Sequence, residues 1–305
     1  MSETISVVVP TYNAAASLPK AIDSVRIQNW PDLEIIVVDD GSTDETAIVL
    51  KSLASPDLQV IRQHNGGPGA ARNKAIKAAG GKWIAFLDVD DLWLPHKLAL
   101  QMDRLREDPS TAFAYGDSLW QSSNGALSEQ KSPSATGNLF ADLLLGPQFV
   151  LSTAVVRRDC FDRVGLFESE FRTGEDWDFW LRLSSFYRGC YIPVALAVYH
   201  VSNDPDKYPP DMHERCQLRI LSRLFSNPEI ARVWPKFSRY RRRLCSWHYA
   251  VLAKSHLHRR QASGFIKFGA ASIFSHPFGL YFLARRWNTA ERMSKLAGIL
   301  SRGIQ

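Results

Sequence analysis

Residues 86–91 read FLDVDD: the apolar run Trp83-Ile84-Ala85-Phe86-Leu87 is followed at once by the carboxylates Asp88, Asp90 and Asp91. Two chemistries fit such an ending. One is a solvated acidic turn. The other is a site for Mg²⁺ or Mn²⁺, which prefer oxygen ligands and usually take one or two carboxylates plus substrate phosphate oxygens. A D-x-D pair on extended chain would turn both acids to one side. The stretch GEDWDFWLRL (174–183) is the second acidic cluster, with Glu175, Asp176 and Asp178 ahead of Phe179, Trp180, Leu181 and Leu183. Acids at a helix start are electrostatically favourable in themselves. Adjacent carboxylates beside aromatics also suit a general base in a partly desolvated cleft. His200, closing VALAVYH, reads either as a structural histidine or as a third metal ligand.

Two further stretches carry ligand chemistry. VVDDGSTD (37–44) puts Asp39 and Asp40 before a Gly turn and helix-capping residues. Carboxylates there could accept from ribose hydroxyls or a base N–H, or could simply shape a turn. NGGPGAARN (65–73) is a Gly-rich turn entering a helix, where backbone can approach a ligand closely and a helix N-terminus attracts anions. It matches neither the P-loop pattern nor G-x-G-x-x-G. Arg72, one turn into that helix, reads as a phosphate contact or a surface residue.

The elements that must position these clusters alternate. Ile5–Val9, Leu33–Val38, Leu58–Ile61 and Ile84–Leu87 are strand-like, whereas Ala14–Gln28, a segment from Ser42 or Thr43 to about Leu53, and Pro68–Ala79 are helix-like. This spacing predicts βαβ units and a mostly parallel, Rossmann-like α/β sheet flanked by helices. In such sheets ligands bind at the carboxyl ends of the strands. Thr11-Tyr12-Asn13, Asp39-Asp40-Gly41, Asn65-Gly66-Gly67 and Asp88–Asp91 all fall at such ends. Residues 121–138 are polar and turn-rich, which predicts a mobile loop beside the crevice.

The chain has 305 residues, 45% of them apolar, and a net charge of +6. That charge is uneven: residues 1–205 hold 18 Lys+Arg against 26 Asp+Glu, and residues 206–305 hold 19 against 5. Two units follow, an α/β domain over 1–207 and a basic α-helical region over 208–305. The later helices fall at Glu214–Phe225, Tyr240–His258 and Gln261–Ser275, with a further one from Phe278. Four scattered cysteines without a C-x-x-C pair argue against a zinc site and a disulfide framework. The N-terminus lacks the pattern of a signal peptide, so a cytoplasmic protein is expected. Arg239, Arg241, Arg242 and Arg243 lie within five residues beside aromatics, a composition suited to the anionic inner face of a cytoplasmic membrane. No nucleic-acid reading motif accompanies the charge.

Taken together, SVVVPTYN, EIIVVDDGSTD, NGGPGAARNKAIKAAGGKWIAFLDVDD and VGLFESEFRTGEDWDFWLRL resemble glycosyltransferase family 2, of the GT-A fold, over about residues 4–205. The resemblance implies roles position by position. Pro10, Tyr12 and Asn13 would line the nucleotide pocket, and Asp39 and Asp40 would bind the nucleoside. Gly67 to Arg72 would pack near base and ribose. Asp88 and Asp90 would form the D-x-D that holds Mn²⁺ or Mg²⁺, with Asp91 capping the segment from Leu92. Asp176, with Glu175, would activate the acceptor, and Trp177 and Trp180 would help form its site. Where the family often has an aromatic–Arg pair followed by His, this chain reads Val-Tyr-His-Val, with His200 as the candidate ligand.

The implied activity is inverting, metal-dependent transfer of a sugar from a nucleotide diphosphate sugar, a UDP-sugar first, to a hydroxyl of a cell-surface glycan or lipid-linked saccharide. Two other classes compete. A sugar nucleotidyltransferase would want a Gly- and Arg/Lys-rich loop near the N-terminus, which PTYNAAASLPK does not supply. A non-catalytic nucleotide-sugar binding module would not need both the D-x-D and the Glu-Asp pair.

Overall fold

A computed structural model describes residues 3–132, 136–202, 210–258 and 261–275. Its contacts divide the chain into two units, each described by itself: residues 1–138, 148–179 and 187–205 in the first, and 139–147, 180–186 and 206–305 in the second.

The first unit grows from β-branched runs. Strand β1 (Ile5–Thr11) is buried along its whole length, as expected of a strand covered on both faces. Helix α1 (Leu18–Arg26) follows, burying Leu18, Ala21, Ile22 and Val25 at helical spacing. It starts later than the apolar pattern alone predicts, with a proline in its first turn. Next come β2 (Leu33–Asp39), α2 (Thr46–Ser52), β3 (Leu58–Arg62), α3 (Pro68–Ala78) and β4 (Trp83–Phe86). β1 pairs in parallel with both β2 and β4, and β2 in parallel with β3. The predicted parallel half is therefore present.

The second half of the sheet departs from simple alternation. After β5 (Leu92–Trp93) and α4 (Lys97–Glu107) the chain forms β6 (Thr111–Gln121) and β7 (Leu127–Gln130). The stretch expected to be a mobile loop thus contains a strand: β7 pairs antiparallel with Ser118–Gln121 of β6. In the second unit α5 (Phe140–Leu143) follows, and β8 (Val155–Arg157) and α6 (Cys160–Val164) return to the first. Helix α7 (Glu175–Phe186) and β9 (Arg188–His200) come next. Strand order among the described residues is β3-β2-β1-β4-β8-β6-β9-β5, with β7 beside β6. Both β4 and β6 run antiparallel to β8. The carboxyl ends of β1, β2, β4 and β6 consequently share one edge.

The second unit is helical: α8 (Pro210–Ser226), α9 (Pro228–Val233), α10 (Arg241–His258) and α11 (Ala262–Ser275). The expected single cut near residue 207 is corrected here, because residues 139–147 and 180–186 pack with these helices. Phe140 meets Trp234 and Phe237 at ring distances of 5.1 and 5.4 Å. Trp234 Nε1 donates to the Ser185 carbonyl (3.0 Å) and Trp247 Nε1 to that of Leu145 (3.1 Å). Buried carbonyls without such donors would be costly, so indoles tie the two insertions down. The helix expected from Phe278 lies outside the described residues. No described helix is long and apolar enough to cross a membrane.

Candidate active site

Where β1 and β2 end, the turns are laced together. Asn13 sits at φ +47°; its N–H donates to Ser42 Oγ (2.9 Å) and its Oδ1 accepts from the Thr43 N–H (2.8 Å). Pro10 is buried within β1. Tyr12 keeps 48% of its surface exposed at this edge. Asp39 is buried, its Oδ1 accepting from the Ser42 N–H (2.8 Å) while Arg62 Nε lies 3.4 Å from Oδ2. Asp40, also buried, accepts from Gln63 Nε2 and from the Gly66 N–H at Oδ1, and from the Gly67 N–H at Oδ2, each at 2.8 Å. Asp40 thus builds the Gly-rich loop first, leaving acceptor capacity on Oδ2 for a ligand N–H. Gly67 stands at φ +88°, and a Cβ there would come within 2.7 Å of Arg172 Nη1. Only glycine fits.

Helix α3 carries the docking face for the second acidic cluster. A Cβ on Gly69 would lie 3.4 Å from the Glu168 carbonyl and 3.6 Å from Glu175 Cγ, so the absence of a side chain permits close approach. Asn73 Nδ2 donates to the Phe167 carbonyl (2.8 Å) and Asn73 Oδ1 accepts from the Phe167 N–H (2.9 Å). Between them Arg72, buried, donates through Nη1 to Glu175 Oε1 and through Nη2 to Asp88 Oδ1, each at 2.6 Å. The phosphate-contact reading of Arg72 is corrected: both terminal nitrogens bridge carboxylates from two motifs that stand 87 residues apart. Glu175 is the inner partner of that bridge, which makes it a positioning residue.

The FLDVDD segment is a turn, not extended chain, with the Asp91 N–H donating to the Asp88 carbonyl (2.9 Å). Asp88 is partly exposed and Asp90 exposed, while Asp91 is fully buried. The capping role expected of Asp91 is corrected as well. Its Oδ2 accepts from Ser152 Oγ (2.5 Å) and its Oδ1 from the His200 N–H (3.1 Å). Ser152 Oγ also accepts from the Asp88 N–H (3.1 Å), and Trp93 Nε1 donates to the Ser152 carbonyl (2.9 Å). Burial, then the charges of Asp88 and Asp90, push the Asp91 carboxyl well above the usual carboxylate range.

These residues fit a hard divalent cation. The charges of Asp88 and Asp90 bear on the buried Asp91 within a single turn, and a cation beside them would relieve that cost. His200 Nδ1 is buried without a hydrogen-bond partner and offers a further donor atom. Among the described residues no three His, Cys, Asp or Glu side chains close into a cage.

Asp176 is half-buried at the start of α7 and accepts from the Trp177 N–H (2.7 Å). Burial first, then the Glu175 charge, push its carboxyl up to about 7 against the opposing pull of Arg72. A carboxylate that titrates near neutrality can take a proton and release it again. Trp177 and Trp180 are buried at 3% and 1% exposure, so the acceptor role expected of them is corrected. Indoles one helical turn apart fill the inner face of α7.

With this geometry in place, the comparisons with known proteins can be read. The model of Glycosyl transferase family 2 matches residues 6–165. The chain belongs to this family. An uncharacterized glycosyltransferase of Rickettsia felis is 31% identical over 242 residues, which is 76% of this chain and 38% of that protein. A second, of Rickettsia bellii, is 30% identical over 76% of this chain and 34% of its own. The chain thus spans little more than a third of the length of these relatives. Among solved structures, residues 1–349 of S. aureus TarS superpose with a TM-score of 0.66 at 22% identity, covering 92% of this chain and 83% of that one. The mannosyltransferase PcManGT from Pyrobaculum calidifontis, in complex with GDP-Man and Mn²⁺, gives 0.60 at 19% identity over 98% and 87%. TarS has also been solved with UDP-GlcNAc (TM-score 0.66, 19% identity, 98% and 92% covered). The fold is the GT-A type, with helices added after it.

Sequence reasoning found the family 2 acids but missed their supports. Ser152 sits in a stretch with no motif signal, and Asn73 and Arg172 lie inside two of the motifs without a residue type that marks them as supports. The Arg72 bridge was legible only as far as Arg72 recurring one turn into a Gly-capped helix.

Proposed function

We propose that this family 2 chain is an inverting glycosyltransferase that moves a sugar from a nucleotide diphosphate sugar to an acceptor hydroxyl. One observation carries the reading: Arg72 ties Glu175, the neighbour of Asp176 at the start of α7, to the Asp88 turn, and burial beside Glu175 pushes the Asp176 carboxyl up to about 7. Asp176 takes the hydroxyl proton while the acceptor oxygen bonds to the anomeric carbon. The bond from that carbon to the β-phosphate oxygen breaks on the opposite face, and its electron pair leaves on the nucleoside diphosphate. Tyr12, Asp39 and Asp40, with Pro10, Asn13 and Gly67, line the nucleoside end. Asp88, Asp90 and His200 would hold Mn²⁺ or Mg²⁺, which would supply Lewis-acid stabilisation of the leaving diphosphate.

UDP-sugars are the donors to try first and GDP-sugars second, since TarS and PcManGT have been solved with UDP-GlcNAc and GDP-Man. Release of free nucleoside diphosphate with donor and acceptor present would support the reading. Donor binding without release would instead leave a binding module, and pyrophosphate release a nucleotidyltransferase. Asp90→Ala should abolish Mn²⁺-dependent UDP binding by titration calorimetry. Retained binding would remove Asp90 from the metal site.

The acceptor is a surface glycan or lipid-linked saccharide, and the helical unit supports a membrane-surface location. Phe274 and Ile266 of α11 are 84% and 67% exposed, and Arg242 of α10 donates to the Ser275 carbonyl at the end of α11. Apolar residues beside arginines suit an anionic leaflet. Pelleting with phosphatidylglycerol vesicles, reduced by neutralising Arg241–Arg243, is expected; no pelleting at low salt would sink this location.

A further inference from the structure

Trp120 is 37% exposed near the carboxyl end of β6. The parallel register of β6 and β9 sets Trp120 opposite Tyr199 and Gln121 opposite His200. The two rings meet at 5.2 Å with planes 50° apart. Trp120 Nε1 donates to Ser118 Oγ (3.1 Å), which fixes the indole. β5 pairs antiparallel with β9, Leu92 opposite Val198, and Asp91 accepts the His200 N–H, so the acidic turn reaches β9 at Tyr199–His200.

Strand order turns this adjacency into a place along the edge. Going from β1 through β4 and β8 to β6 and β9, the edge presents Tyr12 first, then the Asp88–Asp91 turn, then Trp120 and Tyr199. Neighbouring strands lie ~4.8 Å apart, so β1 and β6 are about 14 Å apart across three intervals. That is too far for one base to touch both aromatics. A nucleoside diphosphate laid from Tyr12 to the acidic turn directs its sugar end toward β6 and β9.

We propose that Trp120 and Tyr199 form the stacking floor of an acceptor-sugar subsite, receiving the C–H face of a pyranose ring. This rests on the glycosyltransferase reading above. Fixed aromatic faces offer large contact area at little cost in side-chain freedom, and their geometry selects a flat apolar face. The subsite takes over the task first expected of Trp177 and Trp180.

The test uses the full chain with Trp120→Ala, Trp120→Phe and Tyr199→Ala, and a panel of methyl pyranosides as acceptors. Trp120→Ala should raise the acceptor KM about tenfold, the size of a lost aromatic contact with its buried area, while donor affinity by calorimetry holds. Trp120→Phe should restore most of the loss. A rise in donor Kd instead would place the donor sugar on these rings, and an unmoved acceptor KM would leave them without a ligand; either overturns the subsite. Saturation-transfer NMR from the methyl pyranosides to wild-type protein reads the contact without turnover. A wild-type chain that binds pyranosides, losing the signal in Trp120→Phe less than in Tyr199→Ala or Trp120→Ala, but turns over no donor would sink the enzyme reading and keep the subsite. Turnover without that contact would do the reverse.

Discussion

Acidic clusters follow β2 and β4, the two strands that flank β1, and another opens α7; the first is treated in the opposite way to the other two. Asp39 and Asp40 are buried among donors: backbone N–H groups of Ser42, Gly66 and Gly67 fill their oxygens. The Asp88–Asp91 turn and the Glu175–Asp176 pair are crowded with like charge, with Arg72 as the one cation bridging them. A carboxylate satisfied by backbone donors shapes its loop and keeps only its remaining acceptor capacity for a ligand. One kept next to other carboxylates is held at a cost that a cation or a proton can relieve, which is what chemistry at the site requires.

The largest break in this contrast should come from Asp176→Asn, which should lower turnover ~10²–10⁴-fold while donor binding persists. Wild-type kcat/KM should fall as pH drops through about 7, where Asp176 takes up its proton, and the variant's residual rate should lose that limb. Wild-type-like turnover would take Asp176 out of the mechanism. Stability runs the other way with pH. The fold raises this carboxyl from 3.8 to about 7, so the wild type loses stability as pH rises across that window. The melting temperature of Asp176→Asn should therefore gain on wild type from pH 4 to 7.

Arg72→Met comes next. It strands Glu175 as a buried, uncompensated charge, at a cost of about 3–5 kcal/mol in a urea melt. A loss near zero would mean the bridge is dispensable. Asp40→Ala should cost less, about 1–3 kcal/mol, because it leaves two loop N–H groups without their acceptor. If Asp40→Ala leaves stability untouched, its backbone donors do not hold the Gly-rich loop and the contrast fails. Ser152→Ala should be smallest, about 1 kcal/mol, since Asp91 keeps the His200 N–H.

The parallel half of the fold was legible because β-branched runs and amphipathic helices alternate at a fixed rhythm from Ile5 to Phe86. Legibility faded where pairing became non-local. β8 is three residues long, and it reverses direction between β4 and β6. The polar stretch after Gln121 hides β7 because a hairpin at the sheet edge has no buried face to write an alternation. At the site, the acids announced themselves by type and spacing. Their orientation did not: Asp91 turned inward to Ser152 and His200, and the Trp177–Trp180 face turned into the core. Those outcomes depend on Ser152, Asn73 and Arg72 meeting partners 61 to 103 residues away.

Asn73 grips both backbone groups of Phe167, and Gly69 lets the chain after it lie flat on α3. Asp176, the proposed proton acceptor, is thereby moored to an early helix and not to the strands that precede it in sequence. The hairpin of β6 and β7, which carries Trp120 of the proposed acceptor floor, can then be lengthened, shortened or exchanged while Asp176 stays put. On the proposed function, such an arrangement would separate the choice of acceptor from the transfer itself, and exchanging the hairpin from Trp120 to Lys131 is the natural route to retargeting it.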